Sequence, residues 1–293
     1  MEYQVSPLVA IVGQTASGKS KLAVKLAEHF QGEIICADSM TVYRGFNLGA
    51  AKPTQTERLK IQHHLLDVVD PDSGFNTKEF QRRANIAIQD INRRGKLPLL
   101  VGGSGLYIDS VLFEYKFLTP PSLELRHRLN QMDLPELLQK ANDLKLDTNL
   151  IDIRNKRRVV RLIETNGLQS IKKPIRPGTV VIGLQIPQED LEIRVKQRVE
   201  EMIANGLENE VRNLARIYGW QIEQMKAVGY REWRDYFEGN ATYTELVHMI
   251  LKDTLALAKK QNTWFKRNKS IHWFSNRYKF GEIVELVTTV LNK

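Results

Sequence analysis

An α/β fold, a parallel sheet flanked by helices and carrying an all-helical insertion, is predicted by three features of this 293-residue chain. The apolar run Leu8-Val9-Ala10-Ile11-Val12 leads straight into Gly13-Gln14-Thr15-Ala16-Ser17-Gly18-Lys19-Ser20 and then into a helical pattern, the order strand, glycine turn, helix. Short apolar runs and helical patterns keep alternating up to Phe113. From Ser122 to Gly167 every periodic stretch is helical, and Val180 to Ile186 then reads as a returning core strand. The chain accordingly divides into a first core part at 1–118, a helical insertion at 119–176 and a second core part at 177–293.

The elements follow in order. Leu22, Leu26, Ala27 and Phe30 mark the first helix, which Gly32 ends. Glu33 to Ala37 reads as a short buried strand with Asp38-Ser39-Met40 beyond its carboxyl end, where open parallel sheets bind ligands. Val42 to Gln62 is irregular, and His64 to Val69 reads as a further strand. Asn76 with Glu79 resembles a capping box opening a helix to Arg94. Leu97 to Val101 is a buried strand ending in Gly102-Gly103-Ser104-Gly105, a second glycine loop placed as the first one is. Thr119-Pro120-Pro121 breaks the alternation. Three helical stretches follow, carried by Leu123 to Met132, Leu134 to Leu144 and Ile151 to Ile163. Beyond the returning strand come helices at 189–205, 207–218, 222–237 and 242–266, a strand at 271–274 and a closing helix from Gly281.

Composition bounds the function. With 42% hydrophobic and 26% charged residues the chain is an ordinary globular one. No apolar run approaches the ~20 residues that span a bilayer, and the first residues lack a signal-peptide core. Cys36 is the only cysteine, which excludes a disulfide within the chain and a cysteine-based zinc site. These features predict a cytoplasmic protein without a membrane partner. The net charge is +9, and the excess is concentrated. Between Ile151 and Arg176 eight Lys and Arg residues face only Asp152 and Glu164, a local +6 that points to a nucleic-acid partner.

Gly13 to Ser20 matches G-x-x-x-x-G-K-[ST], a cradle for phosphate or diphosphate. Loop N–H groups and the positive end of the next helix face the anion. Lys19 supplies a charge, and Ser20 a hydroxyl for Mg²⁺. ATP is the obvious guest and a small-molecule kinase the obvious enzyme. Such enzymes usually hold Mg²⁺ with a second acid at a strand end, yet the Leu97–Val101 strand ends in glycines. A diphosphate leaving group fits the same residues, with a nearby acid to activate the nucleophile.

The chain resembles the tRNA dimethylallyltransferases (tRNA isopentenyltransferases) over nearly its whole length. Gly13 to Ser20, Asp38 to Tyr43, Gly49 to Pro53, Val101 to Tyr107, Asn155 to Glu164, Ala227 to Glu232 and Ala258 to Phe265 carry the resemblance, in that order. It implies a P-loop NTPase-like core, Mg²⁺, and transfer of a dimethylallyl group from dimethylallyl diphosphate to N6 of adenine 37, beside the anticodon of a tRNA. A relative that prenylates free adenine nucleotides is the alternative within the same chemistry.

By this resemblance Asp38 is the base, Lys19, Ser20 and Arg126 take up leaving-group charge, and Gly13 to Ser20 hold the diphosphate. Asp38, Ser39, Met40, Thr41 and Ser104 meet the target base. Arg126 and the run Arg157, Arg158, Val159, Val160 and Arg161 contact the tRNA anticodon stem-loop, as do Lys260 and Gln261. Trp264 and Arg267 are further candidates for stacking or backbone contacts. Thr41 stands where Gln is common in the family, Ala50 and Ser104 where Thr is, and Gln14 where Pro is. A monomer is expected.

Overall fold

The computed structural model describes residues 7–118 and 122–291. The first six residues, the Thr119-Pro120-Pro121 break and the last two residues lie outside the described residues. The chain forms two compact units, residues 1–113 with 175–293, and residues 114–174. The insertion thus begins five residues earlier and ends two earlier than the prolines and Arg176 suggest.

In the first unit, described strands β1 (Leu8–Gly13), β2 (Glu33–Cys36), β3 (His63–His64), β4 (Pro98–Gly102), β5 (Thr179–Gln185) and β6 (Ile271–Ser275) form one sheet in the order β3-β2-β4-β1-β5-β6. Every pairing is parallel. β1 and β4 are buried at every position, which is why both read as continuous apolar runs without alternation. The strand expected at His64–Val69 is two residues long, because Leu65 and Asp67 take positive φ values of 62° and 55° and turn the chain out of the ladder. Only a Tyr43–Val69 bridge remains of the rest.

Helix α1 (Lys19–His29) follows the glycine loop. Its Leu22, Ala23, Leu26 and Ala27 are buried, packing in one cluster with Ile11, Val101 and Ile182 of the sheet. Helix α2 (Gln55–Lys60), unmarked in the sequence reading, opens on a Thr54/Glu57 capping box. At α3 (Thr77–Arg93) the cap is half of what the pattern suggested. Asn76 accepts the Glu79 N–H, but the Glu79 carboxylate turns to Arg82 and Arg83. Helix α4 (Gly105–Leu112) follows the second glycine loop.

The insertion holds α5 (Leu123–Gln131), α6 (Leu134–Asp143) and α7 (Lys156–Glu164) around Leu129, Leu137, Ala141, Val159, Val160 and Ile163. Its two chain ends are joined by a Lys116–Ile171 bridge and a Lys173–Glu114 ion pair at 2.7 Å.

Back in the first unit come α8 (Gln188–Ala204), α9 (Leu207–Tyr218), α10 (Trp233–Phe237), α11 (Tyr243–Phe265) and α12 (Phe280–Leu291). The single helix expected over 222–237 is instead a short 3-10 turn at Glu223–Lys226 and α10. Gly229, at φ 89°, breaks it. No described helix is long and apolar enough to cross a membrane.

Candidate active site

β1 ends at the first glycine loop, β2 at Asp38 and β4 at the second glycine loop. Because β4 lies between β2 and β1, three neighbouring strands deliver all three segments to one edge of the sheet. In the first loop Ala16 (φ 60°) and Gly18 (φ 94°) both have positive φ, free for the glycine and a strain for the alanine of the kind functional turns commonly store. The first N–H groups of α1 have no partner within the helix and sit at its positive end. The Ser17 Oγ, buried in the loop, has no hydrogen-bond partner. Lys19 Nζ donates to the Gln14 carbonyl at 2.6 Å.

The turn after β2 is built by its own side chains. Met40 N–H donates to Asp38 Oδ1 at 3.0 Å, and the Thr41 hydroxyl donates to the Asp38 carbonyl at 3.2 Å. Ser104 ties this turn to the second glycine loop, its Oγ accepting the Ser39 N–H at 2.9 Å. The approach is close enough that a Cβ on Gly102 would collide with the Ala37 carbonyl, so only glycine fits there.

α11 closes the arrangement. Gln261 Oε1 accepts the Thr15 N–H at 2.7 Å, and its amide lies against Gly103, where any Cβ would collide with it. Trp264 lies against Gly105 and donates its indole N–H to Asp109 at 3.2 Å. Trp264 is thus packed against α4, and it also lines the site.

These segments enclose a cavity of about 650 Å³. Thr15, Lys19, Ser20, Asp38, Ser39, Met40, Thr41, Ser104, Lys260 and Gln261, all singled out in the sequence, line it together. A second cavity of about 460 Å³ is lined by Ala16, Ser17 and Gly18 and shares Lys19, Ser20, Ala51 and Arg198 with the first. Burial, reinforced by the charge of Arg198 and opposed by that of Asp38, brings the Lys19 ammonium down to about 7. Burial pushes the Cys36 thiol up to about 12, with the Asp38 charge adding to the effect, so this cysteine is held as the neutral thiol.

Arg198 is the site residue that the sequence reading missed. It sits on α8 one turn after Arg194, whose guanidinium donates to the Ala16 carbonyl at 3.4 Å. The i, i+4 spacing of two arginines on the helix after the strand next to β1 was the available signal, hidden among the other charges of α8. Burial lowers the Arg198 pKa, and Asp38 opposes that shift. Asp38 therefore lies within electrostatic reach of both cations.

Among the described residues no group of three or more His, Cys, Asp or Glu is arranged to hold a metal. Mg²⁺ asks for less, keeping waters and substrate phosphates and taking one or two protein oxygens. The Ser20 hydroxyl and Asp38 carboxylate on one cavity fit that demand.

The remaining candidates belong to the insertion. Arg126 donates through Nε and Nη2 to the buried Glu164 carboxylate at 2.5 and 2.7 Å, and Arg161 reaches the same carboxylate at 3.4 Å. Val159 and Val160 are 0% and 5% exposed. Their side chains pack the insertion core, which corrects the expectation that they touch RNA. The helical period of α7 puts the valines inward and Arg157 and Arg158 on the exposed side.

A parallel sheet with a phosphate cradle on one inner strand, a second glycine loop on the strand beside it and an acid on the strand beyond defines a P-loop α/β protein built to set a phosphorylated group against a second substrate. The family model described as IPP transferase matches residues 41–268. A tRNA dimethylallyltransferase of Roseiflexus sp. is 42% identical over 89% of this chain and 90% of its own. The corresponding protein of Anoxybacillus flavithermus is 38% identical over 91% and 89%. The crystal structure of the tRNA isopentenylpyrophosphate transferase of Bacillus halodurans superimposes with a TM-score of 0.76 at 34% identity, covering 98% of this chain and 96% of that one. The chain belongs to the tRNA dimethylallyltransferase family.

Proposed function

We propose that the protein transfers a dimethylallyl group from dimethylallyl diphosphate to N6 of adenine 37 in tRNA, releasing diphosphate. The observation that carries this reading is the shared cavity in which Asp38 stands with Lys19 and Ser20 of the cradle. A kinase would call for a second Mg²⁺-binding acid at a strand end, whereas β4 runs into Gly102-Gly103.

The exocyclic amine of adenine is a poor nucleophile because its lone pair is delocalised into the ring. As N6 bonds to the allylic carbon, the carbon–oxygen bond breaks and the diphosphate leaves with the electron pair. Asp38 accepts the N6 proton. Lys19, Arg198 and the N–H groups opening α1 stabilise the charge that builds on the diphosphate. Mg²⁺, held through Ser20 with Asp38 close by, would neutralise diphosphate charge. Ser39, Met40, Thr41 and Ser104 shape the face that receives the adenine, which must leave the anticodon stack to reach it. Lys260 lines the same cavity, whereas Gln261 is engaged with the loop backbone. Arg157, Arg158 and Arg161, with Arg126 on α5, meet the phosphates of the anticodon stem-loop. The protein acts as a monomer in the cytoplasm.

The test is incubation with dimethylallyl diphosphate, Mg²⁺ and unmodified tRNA, followed by nucleoside mass analysis. N6-dimethylallyladenosine supports the reading, while no prenylated adenosine in tRNA overturns it. A parallel reaction with AMP in place of tRNA gives no product if the basic insertion selects RNA.

A further inference from the structure

The segment Asn47-Leu48-Gly49-Ala50-Ala51 is held from behind by a carboxylate and a phenol. Glu210, on α9, accepts the N–H groups of Asn47 at 3.1 Å, Leu48 at 2.8 Å and Gly49 at 3.2 Å. The Tyr230 hydroxyl donates to Glu210 Oε1 at 2.8 Å and accepts the Ala50 N–H at 3.0 Å. Three successive backbone donors are thereby directed at one carboxylate, and the fourth at the phenol bonded to it. Such a run of N–H groups is itself an anion-binding concavity, and here the protein fills it with its own carboxylate. Tyr230 is fully buried, and a Cβ on Gly49 would collide with its ring, so chain and ring are in direct contact. Beyond the segment, the buried Lys52 ammonium donates to Asp67 at 2.5 Å and to the Tyr43 carbonyl at 2.6 Å.

The other side of this segment faces the site. Gly49, Ala50 and Ala51 line the larger cavity, and Asn47, Leu48 and Ala51 line the second. The segment therefore borders both cavities beside Lys19, Ser20 and Arg198, which the two share. With four of its donors turned to Glu210 and Tyr230, it presents Gly49, Ala50 and Ala51 to the larger cavity and no competing anion cradle.

We infer that Glu210, together with Tyr230, is a positioning residue that fixes the 47–51 segment as the wall of the diphosphate donor site and keeps the anion on the P-loop. This rests on the donor reading above. Removing one oxygen acceptor leaves partly buried donors unpaired and lets the wall shift, whereas the RNA-facing run on α7 belongs to a different unit.

The experiment uses the full-length protein and its E210Q and Y230F variants. Titration with inorganic diphosphate and Mg²⁺ gives the affinity for the leaving group, and steady-state assays give KM for dimethylallyl diphosphate and kcat separately. Binding of an anticodon stem-loop is measured alongside. Both variants should bind diphosphate about tenfold more weakly and raise the donor KM by a similar factor. Stem-loop affinity should stay within about twofold of wild type. Wild-type diphosphate affinity in both variants overturns the inference, as does an equal loss of stem-loop affinity. If the wild-type protein forms no prenyladenosine while the variants still lose diphosphate affinity, the donor reading fails and the positioning role stands. E210Q keeps the volume of the side chain, and Y230F keeps the buried ring, so a fold too unstable for one measurement is checked by the other variant.

Discussion

Gln261 and Thr15 stand 246 positions apart in sequence and 2.7 Å apart in space, the amide oxygen of α11 accepting a P-loop N–H. The side chain that the family resemblance marked for tRNA contact thus sets the conformation of the phosphate cradle. Its amide also rests on Gly103 of the second glycine loop, so one residue spans both loops. Gln261→Leu, which keeps the bulk and removes the acceptor, should lower kcat/KM for the donor about tenfold, the scale of one buried hydrogen bond left unmade. Stem-loop affinity, measured by filter binding, should change less than twofold.

Asp38→Asn removes the base without removing the turn, since an amide oxygen can still accept the Met40 N–H. Single-turnover prenylation should fall about 10²- to 10⁴-fold, the usual contribution of a positioned general base. tRNA binding should persist. Turnover at the wild-type rate would remove Asp38 from the mechanism.

Lys19 carries a pH signature. Its ammonium is lowered to about 7 by burial first and by Arg198 second, while an unfolded lysine titrates near 10.5. Between those values the unfolded chain holds the proton that the folded protein has lost, so this group makes stability rise with pH across that window. Diphosphate favours the charged ammonium, so donor binding takes up a proton above pH 7. Calorimetric affinity for dimethylallyl diphosphate with Mg²⁺ should therefore weaken from pH 7 to pH 9, by up to about one decade per pH unit. Lys19→Met should bind weakly with that dependence flattened.

Glu33 is the buried ionic knot of the sheet. Its carboxylate, 3% exposed, meets Arg94 in a bidentate pair, Lys96 at 2.8 Å and His64 at 2.8 Å. Chiefly through Arg94, its pKa is driven far below the carboxylate range. A depressed carboxylate stabilises the fold above its unfolded pKa near 4.5, and that contribution is lost as the pH falls below it. Glu33→Ala should cost about 1–3 kcal/mol in chemical denaturation at pH 7, because the partly exposed Arg94 and Lys96 lose charge-assisted hydrogen bonds to it. The difference from wild type should shrink toward pH 3.

Arg157 and Arg158 should act on RNA through charge alone. The double charge reversal R157E/R158E should weaken stem-loop binding, and the slope of log affinity against log salt should become shallower by more than one unit. Affinity for diphosphate should not change. An unchanged salt slope would move the RNA-binding face elsewhere on the protein.

Much of this was legible in the sequence because it is local. β1, β4 and β5 appeared as apolar runs since both faces of a parallel strand are covered, and α5, α6 and α11 followed from helical spacing. The cradle and Asp38 could be placed because a strand's end and the next few residues fix them. The short β3 and the break within 222–237 were misread, since the cause is positive φ at Leu65, Asp67 and Gly229, a choice made by surrounding contacts. The pattern at Val159 and Val160 was read as an RNA-facing run, though helical phase already assigned them to the insertion core.

By itself the sequence determined that a phosphate cradle, an acid and a second glycine loop lie at the ends of parallel strands, with a basic helical insertion further along the chain. Sequence order cannot state which strands are neighbours. The order β2-β4-β1 decided that these three segments share one cavity. Packing of α8, α9 and α11 against that edge decided the rest. It brought Arg198 toward Lys19, Gln261 onto Thr15, and Glu210 with Tyr230 behind the 47–51 segment. Those contacts join residues more than a hundred positions apart, and only closure of the fold brings such side chains within hydrogen-bonding or electrostatic reach.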